Sequence, residues 1–423
     1  MQLYLLYLQI IPTFVPIKSN PIINKTSTAV MKKKTILFAS CLLGALAFSS
    51  CEKNLYDESK QPEKEKRITD LNIPADFDWA DSQNAKVKFT CQTATTIYVY
   101  SEKDCNENSL MLQMDVDATT KELPLEIPGY LENVYVKYEG ESNVFTIPVE
   151  NETISISTVP KTKALAGKAA AKSGMNIFQF CYPQSRGYAT VMFEDMYPSL
   201  GDYDFNDFVA WYKLQIPEFY LDYKKGGYCT EYLYIGFQVR AIGGVYDYDP
   251  YIRLTDVKYD EINLNLTSDY QDERFKIRKG PNGEVILVFE KPSIPEGYKY
   301  FNTDPNQMTK PDLFAPYIYL HFKSSVRVER LQNSKVDIYL AKKNHGQEIH
   351  LKDYKSVYGS PQEKYANEKN FVWGFKIPAA IYHATETTSF LEAYPDFEAW
   401  VTSGGEQKKM WWENWNSKKL IIN

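Results

Sequence analysis

Five carboxylates and one side-chain amide crowd a single short stretch of this chain. Residues 193–209 read FEDMYPSLGDYDFNDFV and carry Glu194, Asp195, Asp202, Asp204, Asn206 and Asp207. Acids this close repel one another unless a positive charge sits among them. Hard cations such as Ca2+ take six to eight oxygen ligands at about 2.3–2.6 Å. The stretch holds no Cys or His that would suit zinc, so Ca2+ is the expected ion. Asp202, Asp204 and Asn206 repeat the D-x-D-x-N opening of an EF-hand loop. Asp207 then stands where the sharp turn needs glycine, and Lys213 where the bidentate glutamate belongs, so an EF-hand is excluded. A cation site of another kind must recruit Glu194 or Asp195 from across a hairpin. The same residues also suit a cation-free turn, because Asp and Asn side chains bond to nearby backbone and Gly201-Asp202 is a turn signal. In that reading Asp207 caps the turn or pairs with Arg240.

Other constellations carry weaker chemistry. Glu348 and His350 sit two apart in an expected strand and so share a face, with His345 and Asp353 near them in sequence. They form a candidate ligand-binding pair, but the histidines lack the spacing of a zinc site. Trp400, Trp411, Trp412 and Trp415 crowd the C-terminus, where Trp411 and Trp412 are candidates for stacking on sugar rings and equally for filling a core. No G-x-S-x-G, P-loop, C-x-x-C or G-x-G-x-x-G motif is present, and no catalytic residue is assigned.

The N-terminus speaks to location. Residues 1–30 read as an upstream extension. Lys32, Lys33 and Lys34 then precede an apolar run over 35–48 that is too short to span a bilayer, and Cys51 follows two serines. This is the layout of a lipoprotein signal peptide over 31–50, with Cys51 as the acylated residue. Processing there leaves 43 basic and 54 acidic residues and a formal charge of −11. Such a chain carries no electrostatic footprint for nucleic acid. The expected partner is a membrane, reached through the lipid. In an oxidising compartment Cys91, Cys105, Cys181 and Cys229 are candidates for disulfides, most locally Cys91–Cys105 and Cys181–Cys229; Cys91 suits a buried thiol equally well.

Elements must hold these side chains in place. Residues 51–67 are charged, lack a core and read as a tether. Alternating segments at 86–91, 97–100, 134–138 and 143–149 predict a β-sandwich of Ig-like size over 68–157. A Lys/Ala/Gly-rich linker over 158–174 follows. From 175 to 423 strands are expected at 188–193, 205–214, 231–240, 285–289, 317–322, 336–340 and 372–377. In the third of these, Leu233, Ile235, Phe237 and Val239 alternate with polar or tyrosine positions, which predicts one buried and one wet face. One helix is expected after Pro395, capped by Gly404. The 33 tyrosines suit half-buried strands, so the chain reads as mainly β with few helices.

At this point four blocks resemble the LruC domain of bacterial lipoproteins. They are the acidic stretch 193–209, VRAIGGVYD at 239–247, GQEIHLKDY at 346–354, and FVWGFKIP at 371–378 with EAYPDFEAWVTSGG at 392–405. Met196-Tyr197 and Val372 depart from the family pattern without touching the acidic donors. The resemblance implies a large antiparallel β-sandwich, jelly-roll-like, behind an N-terminal sandwich domain, and a place on the outer membrane, on its periplasmic or cell-surface side. It supplies no activity. The expected role is non-enzymatic binding, adhesion or assembly towards an extracellular protein or glycan, with Ca2+ as the candidate stabilising ion; the alternative is a glycan-binding or carbohydrate-active surface protein.

Overall fold

The structure, a computed structural model, describes residues 67–158, 179–309, 312, 314–343, 346–386 and 388–422. The signal segment, Cys51, the tether before Arg67, the linker beyond Thr158 and His345 lie outside the described residues. The described chain falls within one compact unit, Lys64–Asn423.

The fold is mainly β and forms a β-sandwich with a few short helices, as the alternation predicts. The larger sheet has 14 strands among the described residues. Its path begins at Tyr220–Asp222 and passes through Gly227–Ala241, Phe208–Ile216, Gln179–Tyr182, Leu110–Val116 and Thr95–Tyr100. It continues through Asn133–Tyr138, Phe145–Glu150, Thr153–Thr158 and Ser82–Cys91 to Leu123–Pro128. Leu112 pairs with Phe180, so strands on either side of residues 159–178 belong to one hydrogen-bonded sheet. The smaller sheet has five strands in the order Phe275–Lys279, Glu284–Phe289, Tyr248–Lys258, Val336–Lys342, Glu348–Ile349.

The two sheets meet face to face. Leu233, Ile235, Phe237 and Val239 of the larger sheet share a core with Ile252, Leu254, Val285, Leu287, Ile338 and Leu340 of the smaller one. Phe237 and Phe289 meet edge to face at 5.0 Å. The second face of Gly227–Ala241 is not wet, contrary to the alternation: Gln238 and Arg240 are buried too. Tyr234 stacks on Tyr317 and the Arg240 guanidinium lies 3.9 Å from the centre of the Trp211 ring. Polar heads on long side chains read as solvent-facing in sequence, yet their apolar stems and planar groups pack well under a second layer.

A second core supports the acidic stretch. It joins Ile68, Leu71, Phe77 and Trp79 to Phe205, Phe375, Phe390, Phe397, Trp400 and Trp411. The expected helix forms at Phe397–Thr402, two residues later than Pro395 suggested. Gly404 takes φ 66° and Gly405 φ 86° at its end, a left-handed exit that glycine enters without Cβ strain. Among the described residues no helix is long and apolar enough to cross a membrane.

Candidate functional site

The acidic stretch is the connection between two paired strands, Ala189–Phe193 and Phe208–Ile216, in register from Phe193↔Phe208 to Ala189↔Tyr212. Gly374–Ile377 pairs on the far side of Ala189–Phe193, and the Glu194 N–H donates to the Trp373 carbonyl at 2.8 Å. Val209 lies opposite Ala241 in the next strand, so the blocks at 193–209, 239–247 and 371–378 meet here.

Within the loop the backbone curls around Glu194. Tyr203 and Phe205 take φ 58° and 52°, a left-handed conformation that costs bulky residues energy. Their rings fix it. Phe205 meets Phe375 at 4.8 Å and Phe390 at 5.4 Å, and Tyr203 meets Phe371 at 5.8 Å. The result is a concavity of N–H groups. The Tyr203 N–H donates to Glu194 Oε2 at 3.1 Å and the Phe205 N–H to Oε1 at 2.7 Å.

Glu194, Asp202 and Asp204 come together. Their carboxylate oxygens lie within 4.8 Å of one another. Oxygens on opposite sides of a Ca2+ ion stand about that far apart, since each bond is about 2.3–2.6 Å. Glu194 and Asp204 are buried while Asp202 is exposed, which leaves an open side. Asn206 is fully buried. Its Nδ2 donates to Asp204 Oδ2 at 2.7 Å and its Oδ1 has no hydrogen-bond partner among the described residues. A buried amide oxygen left unpaired is costly, and it is also the kind of hard donor that Ca2+ accepts.

Asp195 and Asp207 are engaged by backbone N–H groups, Asp207 as the cap that the turn reading expects. Asp207 Oδ2 accepts the Asp195 N–H at 2.8 Å, and Asp195 Oδ2 accepts the Tyr246 N–H at 2.8 Å. They tie the loop to the turn of the 239–247 block. The glycines of these blocks follow from this crowding. A Cβ on Gly201 would stand 2.3 Å from Glu194 Oε2, and one on Gly244 would stand 2.2 Å from Asp195 Oδ2.

The electrostatics agree with the geometry. Burial first, then Asp207, Asp204 and Asp202, push Glu194 well above the usual carboxylate range. Burial and then Asp202 and Asp207 push Asp204 up to about 9; burial and then Asp195 push Asp207 up to about 8. Burial also raises Asp195. The charges that raise Glu194 are those of Asp207, Asp204 and Asp202.

Glu386 belongs to this cluster and is invisible in the sequence stretch. It acts electrostatically on Asp204 and Asp207 and accepts from Thr303 Oγ1 at 3.0 Å. A Cβ on Gly243 would meet both Asn206 Oδ1 at 2.5 Å and Glu386 Oε2 at 3.1 Å, so the two oxygens face the same small space. Only the fold brings residue 386 back to residue 206, and no local pattern signals it.

The other expected sites are interior. Glu348 and His350 form a buried network. His350 Nδ1 lies 2.8 Å from Asp337 Oδ2, which also takes Arg253 at 2.7 Å, and His350 Nε2 lies 3.3 Å from Glu348 Oε2. Glu348 accepts the Val357 N–H at 2.7 Å, so the pair pins the 355–358 loop and offers no face to a ligand. Burial opposes a charged His350 ring, but Asp337 and Glu348 outweigh it and raise its pKa. Trp411 and Trp412 are buried, the first against Phe397 at 4.9 Å and the second against Tyr130 at 5.7 Å, so neither makes a sugar platform. Trp415 is half-exposed.

Cys91, Cys105, Cys181 and Cys229 are all free and buried, which corrects the expected disulfides. Cys181 lies opposite Gln215 and Gln215 opposite Tyr234, five residues along the strand from Cys229, so the two cysteines are more than about 10 Å apart, beyond the reach of a disulfide. Cys91 sits in the main core, while Cys105 packs with Tyr100 and Leu110 in a separate cluster.

Residues 231–412 match a family described as a domain of unknown function, DUF4842. That span contains the last three of the four blocks and begins after the acidic stretch. Among curated proteins none matches the chain. A crystal structure of a protein from Bacteroides ovatus, described as a candidate lipoprotein, is similar in fold, with a TM-score of 0.58 at 21% identity. The similarity covers 78% of this chain and 99% of that one.

Proposed function

We propose that this chain is a lipid-anchored outer-membrane or cell-surface protein of LruC type whose β-rich body is a non-enzymatic binding, adhesion or assembly module. One Ca2+ ion is held by Glu194, Asp202 and Asp204, with Asn206 Oδ1 and Glu386 on its flank. The observation that carries the metal is the convergence of three carboxylates beside a buried amide oxygen with no partner. All the donors are hard oxygens, which suits Ca2+ over softer metals. The ion would pin the hairpin, because Glu194 is buried beside an aromatic core and both of its oxygens take N–H groups of the loop.

The anchor rests on the basic segment, apolar run and Cys51, and the similar Bacteroides ovatus protein is itself described as a candidate lipoprotein. Protease treatment of whole cells tests the location. Release of fragments from intact cells supports surface display, and full protection contradicts the adhesion reading. A glycan reading retains Trp415, packed 5.8 Å from Tyr382 at the surface, as its stacking face. Binding on a glycan array that Trp415→Ala abolishes would favour it over a protein partner.

A further inference from the structure

Three polar side chains from distant parts of the chain meet in the interior, away from the acidic loop: Lys376, Asn333 and Glu126, which are 9%, 3% and 2% exposed. Lys376 lies on Gly374–Ile377, Asn333 begins the short turn Asn333–Lys335, and Glu126 lies on Leu123–Pro128. The Lys376 Nζ donates to the main-chain carbonyl of Asn333 at 3.0 Å and to that of Val336 at 2.5 Å. The Asn333 Oδ1 accepts from the Tyr212 hydroxyl at 2.8 Å, and its Nδ2 donates to Glu126 Oε1 at 3.2 Å. Glu126 is held in turn by Ser82 Oγ at 2.5 Å and by the Ser334 N–H at 2.8 Å.

Each part of an amide-forming reaction is present. The two carbonyls and, at 3.4 Å, the Tyr354 hydroxyl hold the Nζ in place, and its neutral form carries a lone pair for attack. Burial pulls the Lys376 amine down to about 8 in spite of Glu126 and Asp337, so a minor neutral fraction is present near physiological pH, far more than for an ordinary lysine. The Tyr212 hydroxyl polarises the Asn333 side-chain carbonyl and would stabilise the oxyanion formed there. Glu126 touches the nitrogen that must leave, where a carboxyl acts as proton carrier.

We propose that Lys376 and Asn333 join in an intramolecular amide bond, with Glu126 as proton carrier and Tyr212 as the donor at the carbonyl oxygen. The Lys376 Nζ attacks Asn333 Cγ and its electron pair forms the new Nζ–Cγ bond. The displaced C=O pair collects on Oδ1 under the Tyr212 hydroxyl. Glu126 takes one proton from Nζ and delivers it to Nδ2. The Cγ–Nδ2 bond then breaks and ammonia departs. No oxidant or other reactant is needed. The link spans 43 residues and ties a strand beside the acidic loop to the turn that opens Val336–Lys342. Such a closure removes freedom from the unfolded chain as a disulfide does, in a protein whose described cysteines are all free.

The test is mass spectrometry of the full chain, denatured and digested with trypsin. The expected result is a branched peptide joining the segment of Asn333 to that of Lys376, lighter by one ammonia than the two linear peptides and uncut after Lys376. Lys376→Met and Glu126→Gln should each abolish it. The wild-type digest decides the matter even if a variant fails to fold. Recovery of linear LQNSK together with cleavage after Lys376 would overturn the proposal and leave Lys376 as a cap on the carbonyls of a short turn.

Discussion

Glu194 is where the structural and metal readings of the acidic loop part company, and two substitutions separate them. Glu194 accepts the N–H groups of Tyr203 and Phe205 in a fully buried setting. Glu194→Ala strands both donors. A buried N–H without a partner costs about 1–3 kcal/mol, so the loss should reach roughly 2–6 kcal/mol without cation. Glu194→Gln keeps one carbonyl oxygen for one of the two donors and removes a charge that its neighbours disfavour, so its cost should be about half that or less. Calcium adds a separate effect. At free Ca2+ a hundredfold above Kd, mass action stabilises the wild type by about 2.7 kcal/mol. Neither variant should gain it. The assay is denaturant unfolding of all three proteins with chelator and with Ca2+. If Glu194→Ala unfolds within about 0.5 kcal/mol of the wild type in chelator, the carboxylate does not hold the turn. If Glu194→Gln keeps the full Ca2+ shift, the ion lies elsewhere.

Further expectations follow from the interior. The raised pKa of His350 contributes stability that is complete below the ordinary histidine value and is lost as pH rises through its folded value. His350→Gln should flatten that alkaline decline in denaturant titrations at a series of pH values. Trp411→Ala removes a fully buried ring from the second core and should cost about 3–5 kcal/mol of unfolding free energy. A thiol reagent should find Cys91, Cys105, Cys181 and Cys229 unreactive in the native protein and all four reactive after unfolding without reductant.

Much of this was legible in sequence, and the failures have physical causes. The strand Glu284–Phe289 follows from an apolar run after the Pro281-Asn282-Gly283 turn, and the paired strands around the acidic loop from short β-rich runs on either side of it. The strand Tyr248–Lys258 escaped because Asp249, Pro250, Arg253 and Asp256 break its pattern; Arg253 is satisfied by Asp337 across the sheet and by the Lys355 carbonyl, neither of them near it in sequence. The convergence of Glu194 with Asp202 and Asp204 was readable from their types and the need for a hairpin. The backbone roles of the other two acids were not, because Asp207 takes the Asp195 N–H and Asp195 takes the Tyr246 N–H, contacts that only the fold sets up. Glu386 could not be found without the tertiary fold. Trp411 and Trp412 illustrate a different ambiguity: a ring suited to a sugar is equally suited to a core, and only neighbours such as Phe397 decide.

Calorimetric titration of the purified chain with Ca2+, run beside Asp204→Asn, tests the account most directly. It predicts saturable binding of one ion to the wild type, a rise in unfolding temperature with Ca2+, and loss of both in the variant. Absence of heat and of any thermal shift at millimolar Ca2+ would contradict it and leave the loop as a hydrogen-bonded turn.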